Sequence, residues 1–318
     1  MLSRLRVATD RGLGRSRGIL FLWGLMCLCL LGGSLSCSTS ARRFGVGSSG
    51  PAAQVTTQRE GNLIQVQVDN SEVGEVTITF DVNPVNLKGS VSFPHTATFK
   101  PGQTEAFTLA PIQPDAPWHY SYKTYYKLGS SDAVHDDSVV YQLPYAPGSS
   151  YKVSQGYNSS FSHHGADQFA IDWKMPEGTE LRAARGGRVV RVKDDSNVGG
   201  RTMRFDQYNN FIIIRHEDGT LGHYCHLKEN GIKVTPGQVV QTGEAIALSG
   251  NTGFSSGAHL HFCVYKTQDG RQRVTIPVKF QAANGRAVTL VEGSRYRAPE
   301  IGGAKIAARP SFTATLLR

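Results

Sequence analysis

The run His259-Leu260-His261-Phe262-Cys263-Val264-Tyr265 alternates polar and apolar residues. Successive side chains of a β-strand point to opposite faces, so this pattern predicts a strand with His259, His261 and Cys263 on one face. A rigid strand that presents two imidazoles side by side is an economical holder for one metal ligand and one catalytic base. Two solvated histidines on an exposed strand would look the same. The surroundings separate the two readings: seven of the ten histidines (163, 164, 216, 223, 226, 259 and 261) fall in one segment of glycine-punctuated strands.

The chain has 318 residues, enough for two domains, and its 35 glycines imply many turns. Short alternating runs predict a first β domain over residues 59–145, built as a small β-sandwich. These runs are Leu63 to Val68, Val76 to Val82, Gly89 to Phe93, Glu105 to Leu109, Trp118 to Tyr126 and Val139 to Leu143. Trp118, Tyr120 and Tyr122 share a face there, as a core strip or as a glycan platform. Pro144 to Ser150 reads as a linker. A second, mostly antiparallel β domain is predicted over 151–297, with strands at Leu181 to Val192, Phe211 to His216, Leu221 to Leu227 and His259 to Tyr265. The expected fold class is therefore all-β. The tail 298–318 lacks periodicity and is expected to be loose.

At the other end, five arginines (4, 6, 11, 15 and 17) precede an apolar run from Gly18 to Gly33. A basic start, a short apolar run and then small residues read as an export signal over 1–37. Ser34-Leu35-Ser36-Cys37 resembles a bacterial lipoprotein processing site, except that Ser34 stands where Leu is usual. Lipid attachment at Cys37, simple secretion and retention as an uncleaved anchor all remain open. The expected location is the periplasm or cell envelope. Residues 38–58 are rich in Ser, Thr, Ala and Gly and read as a flexible tether. The net charge of +9 suits an anionic wall or membrane surface, or simply solubility. No basic–aromatic nucleic-acid motif is present. Of the cysteines outside the signal and the possible anchor, Cys225 and Cys263 are read as small buried thiols rather than a disulfide, with a thiolate ligand at Cys263 as the lesser alternative.

Four blocks of the second domain carry a family resemblance. They are Phe161-Ser162-His163-His164-Gly165 through Phe169-Ala170-Ile171-Asp172-Trp173 and on to Val190, Asn210-Phe211-Ile212-Ile213-Ile214-Arg215-His216, Tyr224-Cys225-His226-Leu227, and Gly250-Asn251-Thr252-Gly253 through His259-Leu260-His261-Phe262. In this order they resemble the lysostaphin/LytM-type zinc metalloendopeptidases that cut peptidoglycan cross-links. The β-rich segment before them is similar to the amino-terminal domain of one exported bacterial branch. Many members place the first metal histidine four residues before the metal aspartate, which here is Gln168. The branch with an upstream Ser-His fits instead, through Ser162-His163 and Phe169-Ala170-Ile171-Asp172.

The resemblance thus implies a Zn²⁺ cofactor held by His163, Asp172 and His261. His164 is the rival for the first position, and Asp167 is a turn or supporting group. Two imidazoles and one carboxylate form a donor set suited to a catalytic zinc with one open position. No His-Glu-x-x-His helix supplies a base, so His226 and His259 are the expected catalytic histidines, their division of labour open. Asn210 is expected to touch substrate and Tyr224 to line the site, with core packing the alternative for Tyr224. His216 is expected to be structural and His223 solvated. Gly250, Gly253 and Gly257 are expected to form tight turns beside the cleft.

The implied activity is hydrolysis of amide bonds in peptidoglycan cross-link peptides, with D-Ala to diaminopimelate the expected bond. A metal-free wall-binding regulator of another hydrolase is the alternative, but such proteins lose ligands and none of the five key positions is lost here. A lipoyl- or biotin-like carrier would need a lysine at a hairpin tip, and the turns at Pro236-Gly237 and Thr242-Gly243 offer none. Oligomeric state is not legible.

Overall fold

A computed structural model describes residues 53–300, together with the backbone of 8–12. The export signal and Cys37, most of the tether and the tail beyond Glu300 otherwise lie outside the described residues. Among those described, the chain is all-β as expected. The helical pieces are the 3-10 turns Gly165–Asp167 and Met203–Tyr208.

Two four-stranded sheets form a sandwich. One runs Ala53–Glu60, Leu63–Asn70, Gly102–Pro111, Leu87–Gly89; the other runs Ala8–Gly12, Trp118–Leu128, Val76–Val85, His95–Phe99. Alternation does the sorting: Ile64, Val66 and Val68 of one sheet meet Ile78, Phe80 and Val82 of the other, all buried. Trp118 and Tyr120 are also buried, so the aromatic strip faces the core and is not a glycan platform. The stretch expected to be a tether already pairs as a strand from Ala53, where β-branched Val55, Thr56 and Thr57 suit a ladder. The strand expected at Gly89 to Phe93 lies instead at Leu87–Gly89, and the residues after it form a turn.

The second unit is a nine-stranded antiparallel sheet. Its order is Val239–Val240, Gly187–Lys193, Phe211–Arg215, Leu221–Cys225, His259–Thr267, Ile171–Lys174, Ser150–Gln155, Arg295–Arg297, with Arg273–Ile276 also paired to His259–Thr267. The run expected as one strand from Leu181 to Val192 is broken. Glu180–Arg182 pairs with Ala245–Leu248 in a separate two-stranded sheet, and the chain crosses into the large sheet through Ala183-Ala184-Arg185-Gly186.

The faces of the large sheet have different roles. Ile171, Trp173, Ile212, Ile214, Tyr224, Leu260, Phe262 and Val264 pack on one face against Leu181, Ala247 and Phe280. The opposite face carries Asp172, His261 and Cys263 at one end. At its other end Val190, Ile213, Leu221 and Tyr265 join the sandwich in one apolar cluster. Burying each such large apolar side chain contributes roughly 1.5–3 kcal/mol, against roughly 0–1 for an exposed ion pair, so packing dominates this junction. Polar contacts then fix its register. Arg191 reaches Glu72 and Tyr126, Arg215 Nη2 lies 3.0 Å from Glu75 Oε2, and Thr267 Oγ1 donates to the Leu128 carbonyl at 2.6 Å.

Candidate metal and catalytic site

Pairing places the site. Asp172 lies opposite His261 across Ile171–Lys174 and His259–Thr267, and Cys225 lies opposite His261 on the other side. His163 comes from the loop before the Gly165–Asp167 turn and is fully buried. The three side chains converge on one carboxylate oxygen: Asp172 Oδ1 is 3.1 Å from His163 Nε2 and 2.9 Å from His261 Nδ1. Their donor atoms all lie within 4.8 Å of one another.

This geometry fits zinc. Ligand atoms about 2.0–2.1 Å from a tetrahedral ion stand about 3.4 Å apart, close to the separations seen. The tautomers also fit. His163 Nδ1 is 3.0 Å from the Gly156 carbonyl. A carbonyl only accepts, so Nδ1 carries a proton and Nε2 is the nitrogen turned toward the site, where a cation would replace the proton it shares with Asp172. His164, the rival, is exposed and stands outside the group.

Electrostatics follow from burial and the shared carboxylate. Burial works against the Asp172 carboxylate, but hydrogen bonds from His163 and His261 hold its pKa well below the usual range. Burial likewise disfavours a charged His261, but Asp172 outweighs it and pushes the imidazole up to about 10. The protons these groups share are held by the lone pairs that a cation would take.

His226 and His259 stand beside this group, their ring centroids 4.5 Å apart. His226 Nδ1 is 2.7 Å from the Thr252 carbonyl, and His259 Nδ1 is 2.7 Å from the Gly257 carbonyl. Both rings are therefore Nδ1–H tautomers with a bare Nε2, and His259 Nε2 lies 3.8 Å from Asp172 Oδ2. Burial, then His259 and His261, lowers the pKa of His226 to about 3; burial lowers that of His259 as well. Both are neutral at neutral pH, as proton acceptors require.

His226 reaches the site by breaking strand alternation. Continuing Leu221–Cys225 would send its side chain to the core face with Tyr224. Instead its φ is +62°, a left-handed conformation costing a non-glycine residue roughly 1–2 kcal/mol. Asn209 Oδ1 accepts its backbone N–H at 2.9 Å and helps hold it there. Two glycines make room. A Cβ at Gly250 would meet Lys228 N at 2.5 Å, and one at Gly253, at φ +77°, would meet Asn209 Cα at 2.7 Å. At Gly257, expected to serve likewise, a Cβ would meet nothing within 4 Å.

Three expectations need correction. Asn210 is fully buried: its Nδ2 donates to the Ser196 and Leu227 carbonyls at 2.7 and 3.2 Å, and its Oδ1 accepts from Ser196 N. It clamps backbone and has no surface for substrate. Tyr224, one residue out of phase with the site face, is also fully buried and accepts the Ala184 N–H at 2.8 Å, so it packs the core. His223 is not solvated but half-buried on the site face, against Cys225, Phe211 and Arg273. His216 is structural, buried with Nδ1 donating to the Gly186 carbonyl at 2.9 Å. Cys225 and Cys263 are free, buried thiols.

Sequence reasoning missed the supports. Gln155 Nε2 donates to Asp172 Oδ2 at 2.6 Å and to Ser162 Oγ at 3.0 Å. Ser255 Oγ lies 3.2 Å from His259 Nδ1 and 2.6 Å from Asn251 Oδ1. Gln155 precedes the recognisable blocks and carries no motif of its own. Ser255 and Asn209 lie inside or beside them without chemistry that marks them.

Such a centre, with three convergent donors and two neutral imidazoles at its edge, is one that could hold a single metal ion and serve hydrolysis. Residues 166–274 match the model of Peptidase family M23. The chain is 30% identical over 119 residues to an uncharacterized metalloprotease of Buchnera aphidicola, covering 36% of this chain and 28% of that protein. It is 30% identical over 122 residues to the peptidoglycan DD-endopeptidase ShyA of Vibrio cholerae, covering 37% and 26%. It is 32% identical over 113 residues to lysostaphin of Staphylococcus simulans, covering 35% and 21%. The chain thus spans about a quarter of the length of these relatives.

Proposed function

We propose that this chain is a zinc-dependent endopeptidase that hydrolyses amide bonds in the cross-link peptides of peptidoglycan, with D-Ala to diaminopimelate as the bond. The observation that carries the reading is the convergence of His163, Asp172 and His261 on one point, with His226 and His259 beside it. The export signal read over residues 1–37 and the basic excess favour work at the cell envelope, whether Cys37 carries a lipid, the chain is secreted or the signal stays as an anchor.

His163, Asp172 and His261 would hold the ion, which when bound supplies a Lewis acid for the scissile carbonyl and lowers the pKa of attacking water. The chain's own residues manage the protons. The bare Nε2 of His226 or His259 takes a proton from the water and returns it to the leaving amine. While it carries that proton, the same imidazolium can donate to the developing oxyanion. The backbone carbonyls of Thr252 and Gly257 fix both rings, so neither has to reorient during turnover.

The test is mass spectrometry of products released from purified peptidoglycan by the zinc-loaded chain without residues 1–37, with His261→Ala as control. New amino groups at cross-links, absent with the variant, are expected. A folded, zinc-loaded chain that releases nothing would overturn the endopeptidase reading in favour of a wall-binding regulator.

A further inference from the structure

Beyond the primary site, the same sheet face continues into a second donor set. An oxygen of Asp167, a ring nitrogen of His261 and Cys263 Sγ lie within 4.8 Å of one another. His261 faces Asp172 through Nδ1, and it also makes a hydrogen bond with Cys263. His223 lies across the strand pair from Cys263, and its Nε2 is 3.2 Å from Cys225 Sγ. Carboxylate, imidazole and thiol together suit zinc as well as the primary set does.

A guanidinium fills this set. Arg273 projects from the Arg273–Ile276 strand and lies over the Tyr265 ring at 4.8 Å. Its Nη2 donates to Asp167 Oδ1 at 2.5 Å, and its Nη1 lies 3.4 Å from His223 Nδ1 and 4.0 Å from Cys263 Sγ. Arginine does not lose its proton in proteins, so this is a fixed positive charge. It neutralises Asp167 and stands where a second ion would have to gather its ligands.

We infer that Arg273 is a built-in counter-cation that keeps the centre mononuclear, excluding a second divalent ion from Asp167, His261 and Cys263. This rests on the reading of His163, Asp172 and His261 as the zinc ligands. A second ion would take His261 as an imidazolate bridge between two metals, with the ring and the Cys263 thiol each releasing a proton to solvent. That would draw donor strength from the primary site. Removing the guanidinium while keeping its apolar stem on Tyr265 should open the second site.

The test counts metal in the full-length chain. Wild type, Arg273→Lys, Arg273→Gln and Arg273→Met are dialysed against excess zinc and bound metal is measured by elemental mass spectrometry. One ion is expected in wild type and Arg273→Lys, and two in the Gln and Met variants. Cobalt substitution gives a second readout. The primary site has no thiolate, so a near-ultraviolet thiolate-to-cobalt charge-transfer band should appear only in the Gln and Met variants, and should vanish when Cys263→Ser is added. Two ions with a thiolate band in wild type overturn the inference, whatever the variants do. A folded Gln or Met variant that holds one ion and shows no band also overturns it while leaving the primary site intact. A wild-type chain that holds no metal overturns the zinc reading itself.

Discussion

Gln155 Nε2 donates to Asp172 Oδ2, leaving Oδ1 to face both His163 and His261. The amide thus decides which carboxylate oxygen is available. Metal sites commonly depend on such outer hydrogen bonds, and losing one typically costs 10–100-fold in affinity. Gln155→Ala should therefore weaken zinc binding by about that factor, measured by competition with a chromophoric chelator. Unchanged affinity would show that packing alone orients Asp172.

The histidines in and around the site should separate by metal content. His261→Ala and His163→Ala should lose zinc and hydrolysis together, whereas His164→Ala should keep both. His226→Ala and His259→Ala should retain zinc and lose roughly 10²–10⁴-fold in kcat, the usual worth of a positioned acid or base. Stoichiometry and single-turnover hydrolysis on the same samples check this. Full turnover by His259→Ala would remove it from proton transfer.

Acid sensitivity should come partly from His216, whose pKa burial, then Arg185, lowers to about 4. Between about 6.5 and about 4 the unfolded chain binds a proton here and the folded chain does not, so stability falls as pH falls through that window. The gap corresponds to roughly 3 kcal/mol. Asn at 216 keeps a donor toward the Gly186 carbonyl and cannot titrate. Urea midpoints at a series of pH values should show His216→Asn with a flatter acid limb than wild type.

The sandwich and the peptidase sheet should unfold together, because Val190, Ile213, Leu221 and Tyr265 lie in one cluster with the sandwich core. Calorimetry should show a single transition. Glu72→Ala strands the Arg191 guanidinium and should lower stability by about 1–3 kcal/mol, the cost of leaving a part-buried charged donor unmatched. Two separate transitions would mean that the junction is weaker than its packing implies.

Part of the site was legible because strand periodicity is strict. His259, His261 and Cys263 share a face by parity alone, whereas His163, Asp172 and His226 came from the family resemblance of the four blocks. What escaped depends on departures from periodicity or on long-range pairing. His226 is on the site side only because of a left-handed φ held by Asn209. Asn210 and Tyr224 occupy positions that the resemblance marked, yet their hydrogen bonds close on backbone. Gln155 meets Asp172 through a neighbouring strand whose pairing shifts register between Val153 and Gln155. The sequence pattern Leu181 to Val192 looked continuous because nothing local reveals a change of sheet.

The His259–Thr267 strand carries the proposed base His259 and the proposed ligand His261 at its start and anchors the sandwich through Tyr265 and Thr267 further along. At about 3.3 Å per residue, His261 and Tyr265 are about 13 Å apart on one unbroken ladder. No hinge lies between them. The amino-terminal unit therefore acts as a splint for the reaction centre. A load placed on the sandwich would reach His261 along this ladder, with no moving loop needed to relay it.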